Sequence, residues 1–95
     1  MTTTIAEKQL ELPEVISWLT LKFADWLEVP AEELDSRTPI SSYGLDSISA
    51  VTLSVQLEDE LGIELDTAVL WDRPTLESLA EHLTEGLNAE GRQLP

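Results

Sequence analysis

The chain has 95 residues, a formal net charge of −14 and no cysteine. This length suits one domain, and the missing thiols exclude disulfides, thiolate metal sites and catalytic cysteines. The acidic balance disfavours nucleic acid and anionic membrane surfaces as partners, because both attract Lys and Arg. It suits cationic partner proteins, unless the charge serves only solubility. No apolar run is long enough for a membrane span and no signal peptide is evident, so we expect a cytoplasmic protein.

The first half of the chain predicts a tail, a helix and a long loop. Residues 1–11 are polar and without periodicity, which is typical of a flexible N-terminal tail. Apolar residues then recur at spacings of three and four over residues 12–27, the pattern of an amphipathic helix. Residues 29–46 lose this period and contain two prolines, so they predict a loop with apolar anchors, and residues 31–34 are compatible with one helical turn.

The second half predicts three more helices. The second helix covers residues 47–61, with Asp46 as N-cap and Gly62 as a left-handed terminator. A short third helix follows within residues 66–71, and a last helix begins after Pro74. The fold expected is a small all-α four-helix bundle of three main helices plus the short third one. Its domain covers residues 12–87, and residues 88–95 form a flexible C-terminal tail.

The second helix carries more apolar surface than one core contact requires. One set of apolar residues follows a helical stripe typical of a core face, namely Ala50, Leu53, Leu57 and Leu61. A second set, Ile48, Val51 and Val55, lies on a neighbouring face. These three either pack beneath the long loop or form an exposed patch for partner proteins or a stowed acyl chain.

Three consecutive acids end this helix. Glu58, Asp59 and Glu60 lie where the helix macrodipole disfavours anions. None of them has a Lys or Arg three or four positions away to offset this cost. The arrangement predicts a docking surface for a basic partner, with a merely solvated face as the alternative.

Two segments carry motifs that resemble those of a known family. Residues 43–48 (YGLDSI) are similar to the G-x-D-S-[LI] signature of the acyl carrier protein family. Residues 70–83 (LWDRPTLESLAEHL) resemble the closing motif of carrier domains from polyketide synthases. Ile48 stands where fatty-acid carriers usually have Leu and is commoner in peptidyl and aryl carriers, so a carrier of nonribosomal peptide assembly stays open as an alternative.

The resemblance implies a function centred on Ser47. A phosphopantetheinyl transferase would attach 4′-phosphopantetheine to this serine, with Asp46 beside the arm, and the thiol would carry acyl or polyketide intermediates as thioesters. The implied partners are a ketosynthase, an acyltransferase and other polyketide synthase enzymes. The domain itself would be a monomer without catalytic residues or metal ligands. An unmodified acidic adaptor, binding a basic partner through the second helix, is the alternative from another class.

The remaining aromatic side chains and the single histidine predict structural roles. Trp18, Trp26 and Trp71 are expected to pack in the core, and Trp71 could also border a substrate groove. His82 has no partner motif nearby and is expected at or near the surface.

Overall fold

The computed structural model describes residues 9–95 and shows the expected all-α architecture. Residues 1–8 of the predicted N-terminal tail lie outside the described residues. The main elements are α1 (Leu12–Leu27), α2 (Ser47–Leu61), α3 (Val69–Asp72) and α4 (Leu76–Ala89), with two short 3₁₀ turns in the first loop at Ala31–Glu33 and Ile40–Tyr43. Within residues 9–95, β-type pairing is confined to one isolated bridge between Pro39 and Thr75. The four-helix prediction is confirmed.

The ends of α2 and α4 follow local sequence signals. At the start of α4, the Thr75 side chain accepts a hydrogen bond from the Ser78 N–H at 3.1 Å, and the Ser78 hydroxyl accepts one from the Thr75 N–H. This reciprocal capping satisfies amide groups that have no partner within the helix. At the end of α2, Gly62 has a φ of 71°, which glycine adopts without steric cost.

One hydrophobic core joins all four helices. The predicted apolar stripe of α2 is buried in this core. The apolar faces of α1 and α4 pack against each other in it. Its fully buried members include Val15, Leu19, Phe23, Ala50, Leu57, Leu79, Leu83 and Leu87. None of the helices within residues 9–95 is long and apolar enough to cross a bilayer.

The long first loop is fastened to the junction between α3 and α4. Ile40 is buried, and its N–H donates to the carbonyl of Pro74 at 2.7 Å. The N–H of Glu77 donates to the carbonyl of Ser36 at 2.9 Å. The segment that leads into α2 is thereby held against the residues that open α4, which brings the two motif-bearing parts of the sequence together.

The packed part of the chain is wider than the predicted range of residues 12–87. Leu10 is buried in the core, and its backbone N–H and carbonyl both bond the side-chain amide of Asn88, at 2.8 and 3.0 Å. α4 continues to Ala89, and Leu94 packs against the core from beyond the helix. Packed residues therefore extend beyond the predicted range at both ends, because the Asn88 side chain bonds the backbone of Leu10, which is distant in the sequence.

Candidate functional site

Ser47 is the first residue of α2 and is exposed to solvent. Within residues 9–95 its hydroxyl takes part in no hydrogen bond, so it is not committed to holding the fold. A serine at a helix start commonly caps that helix. Here the preceding residue does so, which leaves the Ser47 hydroxyl available for chemistry.

Asp46 caps α2, as predicted. Its Oδ1 accepts a hydrogen bond from the Ser49 N–H at 2.8 Å. This backbone hydrogen bond lowers the pKa of the Asp46 carboxyl below its ordinary value. The group is therefore ionised at neutral pH, immediately beside the serine.

A tight turn delivers the chain to Asp46 and Ser47. Gly44 has a φ of 93°, and a Cβ there would meet no other atom within 4 Å, so the backbone conformation and not the available space calls for glycine. The following residue, Leu45, is buried in the core. Anchoring at Leu45 sets the position of the helix start, and the next two side chains emerge into solvent.

The first turn of α2 favours an anion. The leading N–H groups of a helix have no intrahelical acceptor, and the macrodipole adds a partial positive charge there. Asp46 accepts a hydrogen bond from the Ser49 N–H and also interacts with the Ile48 N–H, whereas the Ser47 N–H remains at the open end. A phosphate joined to Ser47 would lie beside these groups.

The second apolar set on α2 is exposed and does not pack beneath the loop. Ile48, Val51 and Val55 are 79%, 43% and 45% exposed. We call these three side chains the α2 patch. One residue of the patch is adjacent to Ser47, and the other two extend along the next two turns.

The three acids at the end of α2 differ from one another. Glu58 Oε2 accepts a hydrogen bond from the Leu65 N–H at 2.9 Å, and Glu60 forms a salt bridge with Lys22 of α1. Asp59 is exposed and has no polar partner within residues 9–95. None of the three has a basic neighbour within the helix, as the sequence indicated, but two of them have polar partners that come from outside it.

An open cleft of about 200 Å³ lies beside Ser47, between the end of α1 and the first turns of α2. It is lined by Trp26, Leu27, Gly44, Leu45, Ile48, Ser49, Thr52 and Leu53. Helical periodicity could not reveal this cleft, because the cleft depends on how two helices meet.

Trp71, which was expected to pack, is 48% exposed on α3 and does not line this cleft. Trp18 and Trp26 do pack against the core, as predicted, and His82 is half-buried.

Comparison with known families identifies the kind of protein. A family model described as "Phosphopantetheine attachment site" matches residues 17–83, more than two thirds of the chain. The chain belongs to this family of phosphopantetheine-bearing carrier domains and resembles those of polyketide synthases. The family's cofactor is covalently attached 4′-phosphopantetheine. Within residues 9–95 no cluster of three or more His, Asp or Glu side chains could hold a metal ion.

Relatives and solved structures agree with this assignment. The chain is 37% identical over 71 residues to polyketide synthase PksL of Bacillus subtilis, which covers 75% of this chain and 2% of that protein. It is 37% identical over 78 residues to the highly reducing polyketide synthase NEC1 of Pyricularia oryzae, covering 82% of this chain and 3% of that protein. The chain thus spans only a small part of these relatives, whose carrier domains interact with the other enzymes of the synthase.

Two solved carrier structures resemble the fold closely. The HMG-ACPI domain of the CurA module from Lyngbya majuscula has a TM-score of 0.82 at 26% identity, covering 96% of this chain and 90% of that one. A free-standing peptidyl carrier protein from Acinetobacter baumannii has a TM-score of 0.74 at 36% identity, covering 81% of this chain and 96% of that one.

Proposed function

We propose that Ser47 is the attachment point for 4′-phosphopantetheine and that the domain carries acyl or polyketide intermediates as thioesters. The observation that carries the proposal is the exposed Ser47 hydroxyl, which has no hydrogen-bond partner in the described chain, at the start of a helix inside the family-matched region. The neighbouring residues fit the group, since the helix start favours a phosphate and an open cleft adjoins it.

The attachment reaction requires only a nucleophilic hydroxyl from this chain. Pantetheine and adenosine are joined in coenzyme A by a diphosphate. Ser47 Oγ forms a bond to the phosphorus on the pantetheine side of this diphosphate. The bond to the adenosine bisphosphate breaks, and the serine proton passes to a base of the phosphopantetheinyl transferase, which also supplies Mg²⁺. The thiol of the attached group then forms thioesters. Tethering raises the effective concentration of the cargo at each partner enzyme, and we infer that catalysis resides in those partners.

Mass spectrometry tests the attachment point. Incubation with coenzyme A, Mg²⁺ and a broad-specificity transferase should add the mass of one phosphopantetheine group to the native protein and none to Ser47→Ala. Ser49→Ala is the matched control, because Ser49 is the next exposed serine of the same helix. It should be modified like the native protein. Addition to Ser47→Ala, or no addition to the native chain, contradicts the proposal.

We further propose that the α2 patch and Asp59 dock the partner enzymes, namely the transferase, a ketosynthase and an acyltransferase. The patch offers apolar area beside the attachment point, and Asp59 offers a charge without an internal partner. Glu58 and Glu60 were also expected to belong to this docking surface, but their carboxylates already bond Leu65 and Lys22. A cationic partner would therefore compete with these internal contacts for the two carboxylates.

Transferase kinetics separate docking from folding. Val55→Asp and Asp59→Lys should each lower kcat/KM for modification several-fold, up to about tenfold. A tenfold decrease corresponds to the loss of about 1.4 kcal/mol of docking energy. Glu81→Lys, an equal charge change at an exposed position of α4, is the control and should leave the rate unchanged. Equal effects of Glu81→Lys and Asp59→Lys would indicate a general response to net charge and would contradict a local docking surface.

A peptidyl carrier is the second candidate, favoured by the 36% identity to the Acinetobacter baumannii peptidyl carrier protein. The two candidates differ in how the thiol is loaded. A polyketide carrier should accept acyl groups from an acyltransferase or ketosynthase. A peptidyl carrier should accept amino acids from an adenylation enzyme. Loading of the modified protein by one enzyme class and not the other decides between them.

A further inference from the structure

The cleft beside Ser47 occupies a different side of α2 from most of the α2 patch. Its α2 wall consists of two pairs at a spacing of four, Ile48 with Thr52 and Ser49 with Leu53. Residues four apart lie above one another on a helix, so these pairs form one continuous face. Val51 and Val55 form the next such pair and do not line the cleft. A group leaving Ser47 can therefore turn toward α1 or toward the exposed patch.

The wall contributed by α1 is held in place by the core. The ring of Trp26 packs edge-on against Phe23, with 5.2 Å between ring centroids, and Phe23 is completely buried. Leu45 and Leu53, which close the cleft from below, are also buried. Part of the cleft is thus formed by side chains that the folded core already holds in place, which reduces the ordering cost of binding.

The chemistry of the lining suits an uncharged ligand with both apolar and hydrogen-bonding groups. No charged residue lines the cleft, although the chain as a whole is strongly acidic. Apolar walls come from Trp26, Leu27 and Leu53, and hydroxyls come from Ser49 and Thr52. Thr52 Oγ1 donates to the Ile48 carbonyl at 3.1 Å, which leaves its oxygen able to accept a hydrogen bond.

The size of the cleft limits what it can hold. Its volume is about 200 Å³. From Ile48 to Leu53 the cleft follows α2 for about 7.5 Å, given a rise of 1.5 Å per residue. It is therefore short, adjacent to the attachment point, and too small for a long acyl chain.

We propose that this cleft, the α1–α2 cleft, holds the pantoyl portion of the phosphopantetheine arm. The proposal rests on attachment at Ser47. The pantoyl portion follows directly after the phosphate and combines two methyl groups with a hydroxyl and an amide carbonyl. Its methyl groups match the side chains of Trp26 and Leu27, and its hydroxyl matches those of Ser49 and Thr52. Docked there, the arm would keep its thiol end outside the cleft and available to partners.

Fluorescence of Trp26 gives a readout that does not depend on synthase activity. The other two tryptophans are removed by Trp18→Phe and Trp71→Phe, and the emission of this protein is compared before and after complete modification, verified by mass. Occupation of the cleft should shift Trp26 emission to shorter wavelength and reduce its quenching by acrylamide. Unchanged emission and quenching in fully modified protein would overturn the cleft proposal while leaving attachment at Ser47 intact. Absence of the mass gain would overturn both.

Two variants in the same background locate the effect. Thr52→Phe places a ring in the cleft and should abolish the difference between unmodified and modified protein. Val51→Phe adds the same ring one position earlier, outside the cleft, and should preserve that difference. A difference that persists in Thr52→Phe, or one lost equally in both variants, contradicts the proposal.

Amide chemical shifts of the native protein provide a second measurement, which does not depend on whether any variant folds. Modification should shift the signals of Ser49, Thr52, Leu53 and the Trp26 indole more than those of Val55 and Trp71. Larger shifts at Val55 and Trp71 would place the arm on the other side of α2 and overturn the proposal.

Discussion

The two ends of α2 look alike in the sequence, since each has an acidic residue two positions from a glycine, but the folded protein uses them differently. At the start, Asp46 bonds its own helix, and the Ser47 hydroxyl has no hydrogen-bond partner within residues 9–95. At the end, Glu58 and Glu60 bond a loop and a neighbouring helix, and the Arg92 side chain lies against Gly62. The start of the helix is thus open for chemistry, whereas its end is bound into the fold. Unpaired acids in a sequence are therefore weak evidence of a docking site until tertiary partners are known.

The two flanking glycines test this difference with the largest expected effect. Gly62→Ala should lower the free energy of unfolding by about 1–2 kcal/mol, because a φ of 71° forces a Cβ into the left-handed region. The new Cβ would also lie 2.8 Å from the Arg92 guanidinium, which must move. Urea unfolding measures the loss.

Gly44→Ala is the matched control for Gly62→Ala. Its φ of 93° also strains any residue with a Cβ, but no atom lies within 4 Å of its Cβ. An Arg92→Ala background should therefore reduce the loss of stability caused by Gly62→Ala and leave the loss caused by Gly44→Ala unchanged. An equal effect of Arg92→Ala on both losses would contradict the view that the end of α2 is the more tightly packed one.

Glu58 should stabilise the fold more than its neighbour Asp59. Glu58→Ala removes the acceptor for the Leu65 N–H and should cost about 1 kcal/mol of unfolding free energy. Asp59→Ala, the control, should cost nothing or stabilise slightly, because it removes an anion from a helix C-terminus. Thermal or urea unfolding of both variants makes the comparison, and equal losses would show that the loop contact contributes nothing.

The salt bridge between Lys22 and Glu60 should contribute less. Both side chains are about one-third exposed, so a double-mutant cycle with Lys22→Ala and Glu60→Ala should give a coupling of about 0.2–1 kcal/mol. The coupling should shrink as salt is raised, because exposed charges are screened. A coupling of zero at low salt would show that Glu60, like Asp59, forms no ion pair that stabilises the fold.

The smallest effect is expected at the open end of α2, from the exposed Asp46 carboxylate. Its pKa is lower in the folded protein than in the unfolded chain, where it is about 3.9. The carboxylate therefore stabilises the fold above that pH, and this contribution is lost as the pH falls through the lower, folded value. Asn is nearly as good an N-cap but does not titrate. The stability difference between the native protein and Asp46→Asn should thus decline in acid, and a difference independent of pH would contradict this account.

The sequence by itself determined the features that depend on neighbours along one helix. Periodicity located the four helices, Asp46 and Gly62 marked the ends of α2, and the motif at residues 43–48 singled out Ser47. These signals are reliable because capping and the burial of one helical face involve residues a few positions apart. The family assignment came from the same local motifs.

Only the tertiary structure decided which surfaces stay free. Glu60 meets Lys22, Leu10 meets Asn88, and Trp26 borders the α1–α2 cleft because helices distant in sequence approach at a particular rotation. A helical pattern states which face is apolar but not which side chains of another helix will lie opposite its polar edges. The exposed Ser47 was therefore predictable from its own segment, whereas the cleft beside it and the pairing of two of the three acids required the packed fold.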